Sequence, residues 1–274
     1  ETRVLFADPT YYDVEYVINP HMAGNVGSVD RVKARTQWED LVEVYRTLGI
    51  QVHVVEGAVG LPDIVFCANQ SFPGTLPNGE QVVAMAHMYS RYRTSEVPVV
   101  EQWHKKNGLT PVHWMDTQGI FEGMGDAAWV PGRRVIVGGY GFRTDLSVYP
   151  WLSDLFGVPT VPLKLIDERF YHLDTCLSMI NENTALYVPE AFDEASLETL
   201  KQLFPRLIAL PISEAVEQIS CNGHSPDGKH YIVNRGATET NRLVSDLGLE
   251  VIQVDTSEFM KSGGSVYCMK LMLP

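Results

Sequence analysis

Four short stretches carry side chains able to do chemistry. GGSVYCM holds Cys268. FYHLDT holds His172 and Asp174, FEGMGDAAW holds Glu122 and Asp126, and GLPDIVFCANQ holds Asp63 and Asn69. A thiolate is a strong nucleophile. A histidine near it lowers its pKa and can protonate a leaving group. His172 and Asp174 are two residues apart, which on a strand predicts a shared face. The glycines around Glu122 and Asp126 would let the backbone approach a ligand closely. Several carboxylates converging with a cysteine and a histidine predict a pocket for a cation. A planar guanidinium, with up to five N–H donors, matches carboxylates in pairs. No stretch resembles a phosphate loop, a dinucleotide fingerprint or a metal cage.

These residues need elements to position them. DRVKARTQWEDLVEVYRTLG has an acidic start, apolar residues at helical spacing and a glycine stop, which predicts a helix. Shorter signals of the same kind occur in SEVPVVEQWHKKNG, SLETLKQLF and ATETNRLVSDLG. Each is followed by an apolar, β-branched stretch: QVHVVE, LTPVHWM, RLIALPI and LEVIQV. Helix then strand is the rhythm of an α/β protein. Between these pairs, LPNGEQVV, VPGRRVIVGG, INENTALYV and SPDGKHYIV predict hairpins around turn-forming residues.

A polar residue precedes each hairpin, at the expected head of a short strand: Asn69, Asp126, Asp174 and Asn222. Cys268 stands in the same place before the last strand. The last three intervals are each about 46 to 48 residues, and the first is longer by a small insertion. The period predicts about five hairpin-plus-helix units closing into a ring, each sending one polar residue toward the axis. Cys268 is then a site residue rather than apolar filler.

Composition bounds the partners. The 274 residues are 45% hydrophobic and 20% charged, which is globular composition. No apolar run reaches the roughly 18 residues that span a bilayer. The formal charge of −13 argues against nucleic acid and anionic membranes and suits a small cationic substrate. The four scattered cysteines, Cys67, Cys176, Cys221 and Cys268, predict free thiols in a reducing cytoplasm. ETRVLFADPTYYD lacks the basic and apolar regions of a signal peptide. Glu1 stands where an initiator methionine would, so the sequence predicts a trimmed chain. The Gly-bearing loop MAGNVGSV, near Asn19, predicts a mobile lid. The oligomeric state is left open, a homo-oligomer included.

YVINPHM, PDIVFCAN, FEGMGD, GYGFRT, ERFYHLDT, SCN and GGSVYCM, taken together and in this order, resemble the guanidine-modifying superfamily. That group comprises dimethylarginine dimethylaminohydrolases, arginine deiminases, amidinotransferases and arginine dihydrolases. The motifs run through residues 11 to 270. The resemblance implies a five-module α/β propeller, the pentein fold, forming a single catalytic domain over 1–274 that needs no metal or organic cofactor.

By the same resemblance, Cys268 is the nucleophile and His172 the general acid/base. Asp63, Glu122 and Asp126 are the acidic positions around the guanidinium, and Asp174 is a guanidinium contact. Arg143 helps hold a substrate carboxylate, and Asn19 is a substrate-side residue of the dihydrolase branch. Asn69 stands where deiminases and dimethylargininases carry Asp, and Ala68 where dimethylargininases carry Glu. FCANQ, VINP and LIDERFYHLDTC look closest to the dihydrolases, which take arginine to ornithine, ammonia and carbon dioxide. A dimethylargininase giving citrulline, or an amidinotransferase, is the alternative. The family's carboxylate-binding arginine is missing from its slot near Ala86 or His87. Arg91 or Arg93, on a nearby loop, is left to replace it.

Overall fold

The computed structural model describes residues 2–274; Glu1, on which the expectation of trimming rests, lies outside them. The chain opens with β1 (Arg3–Ala7), α1 (Arg31–Thr47) and β2 (Gln51–Val55). Asp30 caps α1 by accepting from the amides of Val32 and Lys33, two of the donors a helix start leaves unpaired. The helix buries Ala34, Trp38, Leu41, Val42 and Tyr45, a stripe at i, i+4, i+7, i+8 and i+11 that faces the sheet.

Three similar units follow. The first is β3 (Ser71–Thr75), β4 (Gln81–Met85), α2 (Glu96–Lys106) and β5 (Thr110–Val112). The second is α3 (Gly123–Asp126), β6 (Ala127–Trp129), β7 (Ile136–Tyr140), α4 (Val148–Phe156) and β8 (Thr160–Lys164). The third is β9 (Leu177–Met179), β10 (Thr184–Tyr187), α5 (Glu194–Leu203) and β11 (Arg206–Ala209). In each, the first two strands pair antiparallel, and the strand after the helix adds parallel to the middle one.

Next come α6 (Ile212–Glu217), β12 (His230–Asn234), α7 (Thr238–Asp246) and β13 (Glu250–Val254). Here the expected hairpin is reduced: β12 and β13 pair in parallel, and the third strand is a single antiparallel bridge, His224 with Ile232. Finally α8 (Ser257–Met260) leads to β14 (Lys270–Leu273), which pairs antiparallel with β1, while β2 adds parallel on β1's other side. The strand–strand–helix–strand pattern thus occurs five times, once using both ends of the chain. Successive units touch. β14 lies against β3, α3 against β3, the turn at 173–175 against β7, that turn against the turn at 220–222, and β13 against α1.

Two expectations need correcting. The polar residues that open each unit are not on strands. Asp126 ends the short α3, Asp174 and Asn222 lie in 3-10 turns (Leu173–Thr175 and Ser220–Asn222), and Asn69 and Cys268 lie in turns just before β3 and β14. For the same reason His172 and Asp174 do not share a strand face: His172 caps the turn that contains Asp174. A tight turn twists the chain more sharply than a pleat, so side chains two apart diverge. Helix α4 and strands β1 and β8 add to the elements legible in the sequence. Among the described residues, no helix is long and apolar enough to cross a membrane.

Candidate active site

The turns of Asn69 and Cys268 meet at one narrow cavity with about 310 Å³ of atom-free space, while Asp126, Asn222 and Asp174, the last expected as a guanidinium contact, are not on its wall. Cys268, His172, Asp63, Asn69, Arg93 and Arg143 are on its walls, and Ile18, Asn19 and Met22 form part of its rim. Every charged or thiol side chain here is at least nine-tenths buried.

Cys268 is held tightly. Asn222 accepts hydrogen bonds from the Cys268 and Ser265 amides at 3.2 and 3.1 Å. Its side-chain nitrogen donates to the sulfur at 3.2 Å and to the Asp174 carbonyl at 2.9 Å. The thiol donates to Asp174 Oδ2 at 3.1 Å. Burial, and then the neighbouring Asp174 charge, push the Cys268 thiol well above its ordinary pKa. The resting nucleophile is therefore protonated. Burial raises Asp174 itself to about 7, against the hydrogen bond from Cys268.

His172 donates through Nε2 to Glu122 Oε2 at 2.6 Å, which leaves Nδ1 without a hydrogen bond among the described residues. Glu122 is fully buried. Its other oxygen accepts the Tyr89 amide at 3.0 Å, and Arg143 reaches Oε2 at 3.3 Å. Burial alone would raise the Glu122 carboxyl. The hydrogen bond and charge of His172, with Arg143 and Arg93, outweigh it and hold the group at about 2. Glu122 thus stays ionised and fixes the imidazole. It stands behind His172, off the cavity wall.

The remaining carboxylates divide. Asp63 lines the cavity, and both its oxygens are buried without a partner. The buried Tyr16 hydroxyl, itself short of a well-formed hydrogen bond, is near enough to Asp63 to lower its pKa as a donor does. Burial raises Asp63 against the pull of Arg93. Asp126, expected beside the guanidinium, is instead off the wall: Oδ2 accepts the Thr144 hydroxyl at 2.7 Å and Oδ1 the Leu173 amide at 3.0 Å. It secures the turn after His172, because its two oxygens meet two donors that nothing else satisfies. Asn19 is on the rim, where its oxygen caps a short turn by accepting from His21 and Met22 and its nitrogen donates to the Ser262 carbonyl.

Of the two arginines left to fill the slot near Ala86 or His87, Arg93 is the one on this wall. Its guanidinium donates to both oxygens of the fully buried Glu96 at 2.9 to 3.1 Å, to Asn69 Oδ1 at 2.8 Å, and to the carbonyls of Asp63 and Phe66. Arg91 is exposed on the surface and takes no part. Arg143 sits between the rings of Tyr89 and Tyr171, at 5.0 and 4.9 Å from their centroids, and donates to the Ile18 carbonyl. The loop expected to act as a lid, residues 22–29, is tied down by Lys261 to Ser28 and by Asn25 to His21. Asn222 and Glu96 are the two residues the motifs did not single out as site residues. The repeat did mark Asn222, whereas Glu96 looks like an ordinary acidic residue in the first turn of a helix.

A cysteine, a glutamate-backed histidine and an unpaired aspartate on one cavity, carried by repeated α/β units, define a guanidine-modifying protein. The profile of the family described as "N,N dimethylarginine dimethylhydrolase, eukaryotic" matches residues 21–273, and the chain belongs to that family. It is 35% identical, over 99% of its length, to the bifunctional arginine dihydrolase/ornithine cyclodeaminase ArgZ of Synechocystis sp., of which it spans 37%. It is 36% identical to an N(G),N(G)-dimethylarginine dimethylaminohydrolase of Mycobacterium tuberculosis, covering 98% of this chain and 85% of that protein. The crystal structure of the N-terminal domain of ArgZ bound to substrate is similar with a TM-score of 0.92 and 32% identity, covering 99% of this chain and 97% of that one. The chain therefore spans little more than a third of full-length ArgZ and nearly all of its N-terminal domain, whose mixed α/β fold it shares.

Proposed function

We propose that this chain is a cysteine-dependent hydrolase of the guanidinium group of free arginine, acting twice to give ornithine, two ammonia and carbon dioxide. The observation that carries this reading is the unpaired Asp63 carboxylate facing the same buried cavity as Cys268 and His172. A buried carboxylate with neither oxygen satisfied is costly, and a guanidinium supplies two parallel N–H donors to it.

Arg93 and Arg143 would hold the substrate's carboxylate at the other end. Beside the cationic substrate the Cys268 thiol passes its proton to His172, and the sulfur adds to the guanidinium carbon. A C–N bond breaks as His172 gives the departing nitrogen a proton, leaving an amidino-thioether. His172, now neutral, takes a proton from water, whose oxygen adds to the same carbon. The C–S bond breaks, and citrulline and a free thiol result. Asn69 Nδ2, buried without a partner, is a donor in the right place for the ureido oxygen. It holds this neutral group for a second round, where an aspartate would repel the oxygen.

The five units are arranged in this reading as a closed propeller, one catalytic domain around a common axis. The four free, buried cysteines suit a reducing cytoplasm.

A dimethylargininase is the second reading, favoured by the family's description and by the Mycobacterium tuberculosis relative, most of whose length the chain covers. Incubation with L-arginine, dimethylarginine and agmatine, with products read by mass spectrometry and an ammonia assay, separates the two. Ornithine with two ammonia per arginine supports the first reading, given that Cys268→Ser abolishes it. Citrulline from dimethylarginine alone supports the second. Citrulline as the end product from arginine would leave single hydrolysis.

A further inference from the structure

Thr144 stands between Arg143, which is on the cavity wall, and Asp145. These three residues lie between β7 and α4 and are stitched to residues 120–122 at three levels. Arg143 reaches Glu122 Oε2 at 3.3 Å, and Asp145 Oδ2 accepts the Ile120 amide at 2.9 Å. Between them, the Thr144 hydroxyl accepts the Glu122 amide at 3.1 Å. The same hydroxyl donates to Asp126 Oδ2 at 2.7 Å. Glu122 caps α3 and Asp126 is its last residue, so one hydroxyl holds both ends of a single helical turn.

The connection runs on from Asp126. Its Oδ1 accepts the Leu173 amide at 3.0 Å. Leu173 follows His172, and His172 Nε2 donates to Glu122 Oε2 at 2.6 Å. The links therefore close a circuit that leaves Glu122 by its backbone and returns to it by its carboxylate. Thr144, Asp126 and Glu122 are 2, 1 and 0% exposed, so bulk water does not compete for these bonds. Thr144 accepts and donates through a single atom, which neither an ionised carboxylate nor a valine can do. Its branched Cβ restricts χ1, which fixes where that atom stands.

We propose that Thr144 is a positioning residue for the reaction: it sets Glu122 and the His172 turn in one mutual arrangement, and so the orientation of the imidazole on the cavity wall. This rests on the hydrolytic reading above, in which His172 carries protons between the thiol, the departing nitrogen and water. Proton transfer requires hydrogen-bond reach, so a displaced imidazole costs turnover more than it costs substrate binding. Thr144 itself is not on the cavity wall.

Thr144→Val removes the hydroxyl and keeps the branched side chain, and Thr144→Ser keeps the hydroxyl. With the guanidine that the wild-type protein turns over, Thr144→Val should lower kcat by about 10- to 100-fold with KM within threefold. Thr144→Ser should restore kcat to within threefold of wild type. In a Glu122→Ala background, where the contact being positioned is gone, Thr144→Val should lower kcat no further. The short His172–Glu122 hydrogen bond should give a low-field proton resonance by NMR that persists in Thr144→Ser and is lost or moved upfield in Thr144→Val. A folded Thr144→Val protein with kcat within threefold of wild type, a loss carried by KM alone, additive losses in the double variant, or an unmoved resonance overturns the proposal. Should Thr144→Val not fold, Asp126→Asn breaks the circuit at its next link and is read in the same way. A resonance lost in Thr144→Val, in a protein that hydrolyses no guanidine, retains the positioning and removes the reaction. Hydrolysis with an unmoved resonance does the reverse.

Discussion

Asp63 and Asp126 are equally buried, each 1% exposed, yet their surroundings are opposite. Asp126 has a donor for each oxygen, one from Thr144 and one from the Leu173 amide. Asp63 has none. A buried polar atom left unsatisfied costs about 1–3 kcal/mol. The protein tolerates that cost on the cavity wall and avoids it one layer back. Satisfied carboxylates (Asp126, Glu96, Glu122) form a rigid backing, and the unsatisfied ones mark where a ligand completes the structure. Motifs alone group all these acids together; hydrogen bonding separates them.

Cys268 belongs to both layers, being clamped by Asn222 and open to the cavity, so its replacement tests the whole division. Cys268→Ser should lower turnover by about 10⁴-fold or more, because a serine hydroxyl in that place is not ionised. Substrate binding should persist by calorimetry. Turnover within a hundredfold of wild type would remove Cys268 from the role of nucleophile.

The aspartate pair gives the next largest effect. Asp63→Asn should lower kcat/KM by about 100-fold, the loss of a charge-assisted pair worth roughly 3 kcal/mol, without lowering the melting temperature. Asp126→Ala should cost on the order of 1–3 kcal/mol of stability, by orphaning the Leu173 amide and the Thr144 hydroxyl. Equal destabilisation in the two variants, read by chemical denaturation, would dissolve the distinction.

Glu96→Gln loosens the backing of Arg93 without touching the cavity. KM should rise about tenfold with kcat within threefold, since a charged hydrogen-bond partner is replaced by a neutral one. A fall in kcat at unchanged KM would count against Arg93 as a substrate clamp.

The smallest effect is in pH dependence. Burial raises Asp174 to about 7 and Asp126 to about 6, both above the ordinary value of 3.8. The folded state then binds more protons than the unfolded one between roughly pH 4 and 7, so these groups' contribution is full below pH 4 and is lost as pH rises through 6 to 7. Asp174→Asn should make the melting temperature less sensitive to pH across that window and higher at pH 8. An unchanged pH profile would mean that Asp174 is not protonated when buried.

Much of this arrangement was legible in the sequence. The helices α1, α2, α5 and α7 carry apolar faces at helical spacing, α1 and α5 with aspartate caps as well, and the even spacing from Asp126 to Cys268 marked the repeated units. Strand assignments failed at the turns themselves. Three-residue turns such as Leu173–Thr175 are too short to show a period, so His172 and Asp174 read as neighbours on a pleat. Arg93 was only one of two candidates, because its selection depends on Asn69, 24 residues earlier, meeting its guanidinium together with Glu96. The role of Asp126 depends on Thr144, 18 residues away, and on an amide proton, which no residue pattern displays.

The pairing of β1 with β14 sets Arg3 beside Leu273, so the sheet next to the nucleophile joins the two extremes of the described chain. Contacts of such sequence separation carry the greatest loop-closure cost and reward the chain late in folding. The other hairpins close over short turns and can form earlier. The thiol therefore reaches its working position as one of the last events of assembly, and fraying of this one sheet would silence the protein while most of its helices were still intact.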